Sequence, residues 1–184
     1  MERNLKLPKK SRRALSRLAF GAAPFCLMLA GCADTVAPAP PPAAPETGLY
    51  HSMAAPGARL DAAAARDLIS LYRHNNGQGS VALDPDLMAQ AQAQADAMAA
   101  RDKLSHEVSG SLTERLDRAG FRKSTAVENV SAGYDTMAEV FSGWRQSPPH
   151  NANLLAPGMR RMGVAAAYNP RTRYKVFWSL VMAN

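Results

Sequence analysis

Tyr174-Lys175-Val176-Phe177-Trp178-Ser179-Leu180-Val181-Met182, near the C-terminus, decides the fold. Side chains along a strand alternate between faces. Tyr174, Val176, Trp178 and Leu180 therefore share one face, and Phe177 and Val181 take the other. Apolar groups on both faces require a strand covered on both sides. Upstream, Met162–Tyr168 has the same strand character, and Asn169-Pro170-Arg171 between them reads as a hairpin turn.

Working back along the chain, the pattern becomes helical. Thr136 or Asp135 opens a helix whose Met137, Val140, Phe141 and Trp144 form a buried stripe at i, i+3, i+4 and i+7. Ser147-Pro148-Pro149 ends it. Ala126–Ala132 reads as a short strand, and Ser111 to Ala119 as a helix closed by Gly120. Asp84-Pro85 supplies a cap and an N1 proline for a long Ala-rich helix to about Lys103, with Leu87, Ala91 and Met98 on one face. Asp61 caps a first helix to about His74, with Ala64, Leu68, Leu71 and Tyr72 near helical spacing and Asn75-Asn76-Gly77 as its stop. Helices flanking a doubly covered sheet define an α+β fold: a three-layer α-β-α sandwich of four helices around a small central antiparallel sheet.

This domain occupies residues 59–184, long enough for one real core. Before it, residues 32–58 are rich in Ala and Pro, including Pro38, Pro40, Pro41, Pro42, Pro45 and Pro56, and read as a disordered, semi-extended tether.

The chain has 184 residues and a formal net charge of +7, which invites a nucleic-acid reading. The distribution of that charge excludes it. Residues 1–31 hold Arg3, Lys6, Lys9, Lys10, Arg12, Arg13 and Arg17 against Glu2 alone, so the remainder is nearly neutral. A phosphate-binding groove has no support there.

The basic stretch runs into an apolar segment, Leu18 to Ala33, shorter than the roughly 20 residues of a membrane span. Basic n-region, short h-region and small residues make residues 1–31 a signal peptide. Its end, Leu29-Ala30-Gly31-Cys32, looks like a bacterial lipobox, whose Cys is lipidated and becomes the mature N-terminus. The alternative is an ordinary signal peptide with a chance Cys. Ala33 follows the Cys and Asp34 comes one residue later, a pattern leaning towards the outer membrane, with the domain facing the periplasm. Ser11-Arg12-Arg13-Ala14-Leu15 partly resembles a twin-arginine signal, against the plainer reading of a basic n-region. Cys26 lies in the leader and Cys32 at the lipidation point, so the domain has no thiol for a disulfide or a nucleophile.

Among four histidines, His51 falls in the tether and His74 at a helix end, both read as solvated. His106 and His150 each follow a helix in a connection, where sites tend to form. Glu128 interrupts an apolar strand and needs a partner or an exposed face. Two imidazoles and a carboxylate suit either an open metal site or an acid/base pair. Capping and surface roles are the plainer alternative.

Leu104-Ser105-His106, then Arg115 to Gly120, then Glu128-Asn129, then Trp144 to Leu155, then Met162-Gly163-Val164, follow one another at suitable spacing. In this order they resemble the CAP superfamily, the SCP-like domain of cysteine-rich secretory, antigen-five and pathogenesis-related proteins. Ser147-Pro148-Pro149-His150-Asn151-Ala152-Asn153-Leu154 is similar to the bacterial Ser-Pro-x-His-x-x-Asn-hydrophobic signature. The resemblance covers about residues 60–182. It implies an α-β-α sandwich with a central cleft lined by His106, His150 and Glu128. It also implies that the histidines can hold a divalent metal such as Zn²⁺, as in some members.

The family's second carboxylate falls at Ser147, a departure from the pattern. Ser147 is left to hydrogen-bond His150 or to cap a turn, the turn role being the plainer. Glu139, the nearest acid, faces away from the buried stripe and reads as solvated. Asn129 reads as a structural hydrogen-bonder. The resulting function is a lipid-anchored envelope binding module, holding a lipid, glycan or protein in the cleft of His106, Glu128, His150 and Ser147. The alternative is a metal-assisted hydrolase or peptidase with Glu128 as general base. Acyl transfer through Ser147, His150 and Glu128 lacks any nucleophile-elbow signature and ranks last.

Overall fold

The computed structural model describes residues 48–121 and 125–184. The expected signal peptide, Cys32 and most of the expected tether lie outside the described residues. Pro42–Asn184 is one compact unit containing its own two-sided core, the property of a segment that folds on its own.

Five α-helices and four strands follow a short 3₁₀ turn at Gly48–Tyr50. They are α1 (Ala62–Asn75), β1 (Ala82–Leu83), α2 (Pro85–Arg101), α3 (Leu112–Arg118), β2 (Ala126–Ala132), α4 (Met137–Gln146), α5 (Pro148–Leu154), β3 (Arg161–Tyr168) and β4 (Val176–Ala183). The strand order is β1-β3-β4-β2. β4 pairs antiparallel with both β3 and β2, and every residue of β4 is buried.

The alternation expected of β4 is what builds the two cores. Val176, Trp178, Leu180 and Met182 join α1, α4 and α5 in one cluster. Phe177 and Val181 join α2 and α3 in the other. The three layers are thus α1, α4 and α5, then the sheet, then α2 and α3. Gly163 permits close approach of the layers, since a Cβ there would run into the backbone of Leu87 and Met88 on α2.

The caps lie where the sequence places them. Asp61 accepts from Ala64 N–H, and Asp84 accepts from the N–H groups of Asp86 and Leu87. Ser111 and Thr136 each form a reciprocal capping box, with Glu114 and Glu139 as partners. Glu139 is exposed, as expected, and its carboxylate also caps.

Five expectations need correction. The sheet is mixed, because the two-residue β1 pairs parallel with β3. Among the described residues the helices number five: Pro148 and Pro149 end α4 but start α5, since a proline in the first turn loses no needed N–H bond and has φ preset for helix. The buried stripe of α1 is Ala65, Ile69 and Arg73, while Leu71 is 59% exposed. Finally, the prolines do not extend the tether to residue 58. Met53 is buried in the first core, and its N–H donates to Asp135 O at 2.7 Å. Tyr174 and Lys175 also precede β4 rather than belonging to it, with Lys175 at φ 63°.

Candidate functional site

The site is organised by β2, an edge strand. Glu128 points to the α2–α3 side of the sheet, where Arg115 meets it. Arg115 Nη2 donates to Glu128 Oε1 at 2.7 Å, and both side chains are nearly inaccessible. The other carboxylate oxygen, Oε2, lies 2.9 Å from His106 Nδ1. A carboxylate accepts only, so Nδ1 carries the proton in this bond. In a neutral ring, Nε2 then keeps its lone pair. The Glu128 side chain is 2% exposed and that of His106 is 55% exposed.

The loop carrying His106 is suspended from α2 and α3. Gln94, on the buried face of α2, donates its amide to Ser105 O at 2.8 Å and His106 O at 3.1 Å. Arg115 reaches Gly110 O at 3.3 Å and His106 O at 3.4 Å. Gln94 Oε1 and Arg115 Nη1 are buried without a protein partner.

His150 lies in the first turns of α5, not in a connection. Asn129, the neighbour of Glu128, points to the opposite layer and donates to His150 O at 3.0 Å. Asn153 donates to Glu128 O and to Asn129 Oδ1, both at 2.9 Å, and so covers the outer edge of β2. The far end of α5 is held by Arg73, which donates to Leu154 O at 2.7 Å and Ala156 O at 3.0 Å. Burial pushes the His150 pKa down, and the charge of His106 pushes it in the same direction. The two histidines therefore sense each other electrostatically.

Ser147 is the residue shared by α4 and α5. Its backbone bonds Gly143 and Asn151, and its side chain makes no cap hydrogen bond. The turn role thus belongs to its main chain. His74 is exposed and His51 half-buried.

Sequence reasoning missed Gln94 and Arg73, and gave Arg115 no role. Gln94 and Arg73 leave a readable signal. Gln94 continues the Leu87–Ala91 face of α2 towards Met98, and Arg73 continues the Ala65–Ile69 face of α1. A polar residue on an apolar face has a buried partner to find.

Among the described residues, no group of three or more His, Cys, Asp or Glu is placed to hold a metal ion. None of their helices is long and apolar enough to cross a membrane.

A three-layer sandwich with two histidines and a buried carboxylate at one sheet edge is matched by the family model "Cysteine-rich secretory protein family", CAP, over residues 66–182. The chain belongs to that family. It is 28% identical over 100 residues to the Bacillus subtilis protein YkwD, an alignment covering 53% of this chain and 39% of that protein's length. Among solved structures it is similar to an extracellular SCP-domain protein of Bacillus anthracis. There the TM-score is 0.56 and the identity 24%, with 64% of this chain and 38% of the other covered. It is also similar to an outer surface protein of Borrelia burgdorferi, with a TM-score of 0.58, 16% identity and coverage of 67% and 92%. The last two likenesses concern the fold.

Proposed function

We propose that the chain is an exported, lipid-anchored protein of the bacterial envelope, at the outer membrane and facing the periplasm, whose domain is a ligand-binding module. Cys32 is its anchor, and the extracellular and outer-surface relatives support an exported destination. The ligand is a lipid, glycan or protein, met by His106 and His150.

One observation carries this reading. Glu128 is sealed behind its partners, whereas the imidazole it holds is open to solvent. A general base must reach the proton it takes. Glu128, with both oxygens engaged by Arg115 and His106, instead orients an imidazole. The geometry therefore supports binding over metal-assisted hydrolysis.

The imidazoles suit a divalent cation such as Zn²⁺. A carboxylate on Nδ1 is the arrangement that fixes a metal-ligating tautomer, and the depressed pKa of His150 favours its neutral, ligating form. Two protein donors leave the remaining positions to the ligand or solvent, and the metal would supply a Lewis-acid contact.

Calorimetric titration of the full chain with Zn²⁺ tests the site. Uptake by the wild type, lost in both His106→Ala and His150→Ala, is expected; no uptake by the wild type sinks the metal reading. Hydrolysis of a peptide or ester library that disappears in Glu128→Ala would reverse the preference for binding. Cys32→Ser should release the protein from membranes, and retention there would remove the anchor.

A further inference from the structure

The hairpin tip between β3 and β4, Asn169 to Lys175, carries Arg171, Arg173 and Lys175 and no acid. It is fastened to the end of α2. Asn169 donates to Ala99 O at 2.9 Å, and Arg173 N–H donates to the Asp102 carboxylate at 3.1 and 3.2 Å. That helix end adds Arg101 and Lys103, and all five cations are exposed.

The nearby acids are Asp102, engaged by the Arg173 N–H, Glu107, beyond His106, and Asp96 on α2, which lines one cavity with Pro170. The other described residues hold more Asp and Glu than Lys and Arg, so positive charge is concentrated at this end. Leu104, 46% exposed, and Tyr174, 36% exposed, lie among the cations. The Arg173 guanidinium sits 5.3 Å from the centre of the Tyr174 ring.

We infer that the hairpin tip and the end of α2 form a docking surface for an anionic phospholipid bilayer. Cations draw the surface to the headgroups, at about fivefold in partition per Lys or Arg. Leu104 and Tyr174 favour a lipid interface over a dissolved polyanion, because apolar and aromatic groups gain at headgroup depth. The patch does not rest on the anchor reading, so the test omits the anchor.

The Pro42–Asn184 segment is sedimented with phosphatidylcholine vesicles with and without phosphatidylglycerol. Binding that needs phosphatidylglycerol and weakens with salt is expected. Combined Arg171→Ala, Arg173→Ala and Lys175→Asn should lower partition roughly a hundredfold. Asn suits the positive φ at 175. An unchanged thermal melt would show that the variant is folded. Leu104→Ser, outside both cores, should weaken binding a few-fold. Equal binding to neutral vesicles, or an unaffected triple variant, would overturn the proposal. So would binding to soluble dextran sulfate as tight as to vesicles, together with an inert Leu104→Ser.

Discussion

Glu128 and Asn129 are adjacent on β2, and strand alternation sends their side chains to opposite layers. Glu128 holds the ring of His106, and Asn129 holds the backbone of His150. Two sequence neighbours thus tie both histidines to one strand. Asn129→Ala should cost about 1–3 kcal/mol, since His150 O loses its bond and Asn153 loses an acceptor. In imidazole ¹⁵N spectra it should displace the His150 signals and spare those of His106. Glu128→Gln should do the reverse. A variant that moves both sets equally would show that the two arms are not separable.

Arg115 and Glu128 form a buried pair. Breaking such a pair from one side typically costs about 3–5 kcal/mol, because the remaining charge has no water. Arg115→Met should therefore destabilise by that order in urea melts. The double variant Arg115→Met, Glu128→Leu should recover much of the loss. It should also scatter His106, which loses its carboxylate. No recovery in the double variant would mean that packing, not the orphaned charge, sets the cost.

Arg73 binds carbonyls rather than a carboxylate. Desolvation accordingly lowers its pKa. Its fork reaches Gly79 O, Leu154 O and Ala156 O, joining α1 to the end of the helix that carries His150. Arg73→Lys keeps the charge but loses the planar set of five donors. A loss of about 2–3 kcal/mol is expected, by the cost of leaving buried carbonyls unpaired. Amide exchange should accelerate at residues 154–156 before it does so in β2.

Gly163 faces the backbone of α2 without a side chain. Gly163→Ala drives a methyl into Leu87 and Met88, and the layer cannot yield by rotating a side chain. Overpacking should cost at least about 3 kcal/mol. Gly120→Ala and Gly77→Ala meet no atoms within 4 Å, so they carry only the strain of positive φ and should cost less. Thermal melts of the three variants rank them directly.

The sandwich was legible because β4 alternates two apolar sets, and both cores follow from that alternation. The α1 face was misjudged because Leu71 outweighs Arg73 on any hydropathy count. Yet a guanidinium can be buried where enough carbonyls receive it. β1 left no signal, since two residues cannot show a period. Pro148-Pro149 stops one helix and starts another, and only tertiary structure tells these apart. His106, Glu128 and His150 stand out through their motifs, and the structure places Glu128 against the His106 ring and Asn129 against the His150 backbone. Gln94, which positions the loop, shows only by its place on the apolar face of α2, and Arg115 was hidden because its carboxylate partner lies on another element.

His150 links the site to pH. Burial first, and the His106 charge second, hold its pKa below the ordinary value of 6.5. At mildly acidic pH the folded protein therefore binds fewer protons here than the unfolded chain. The corresponding stability is fully present above about pH 6.5 and is lost as pH falls through the folded pKa. Urea midpoints taken from pH 7.5 downward should decline, and His150→Gln should flatten that decline. His106→Gln removes one of the two depressing causes. It should raise the His150 midpoint in NMR titrations and narrow the window. His74→Gln, at an exposed position, serves as the control. A decline of equal slope in His150→Gln would assign the pH dependence elsewhere.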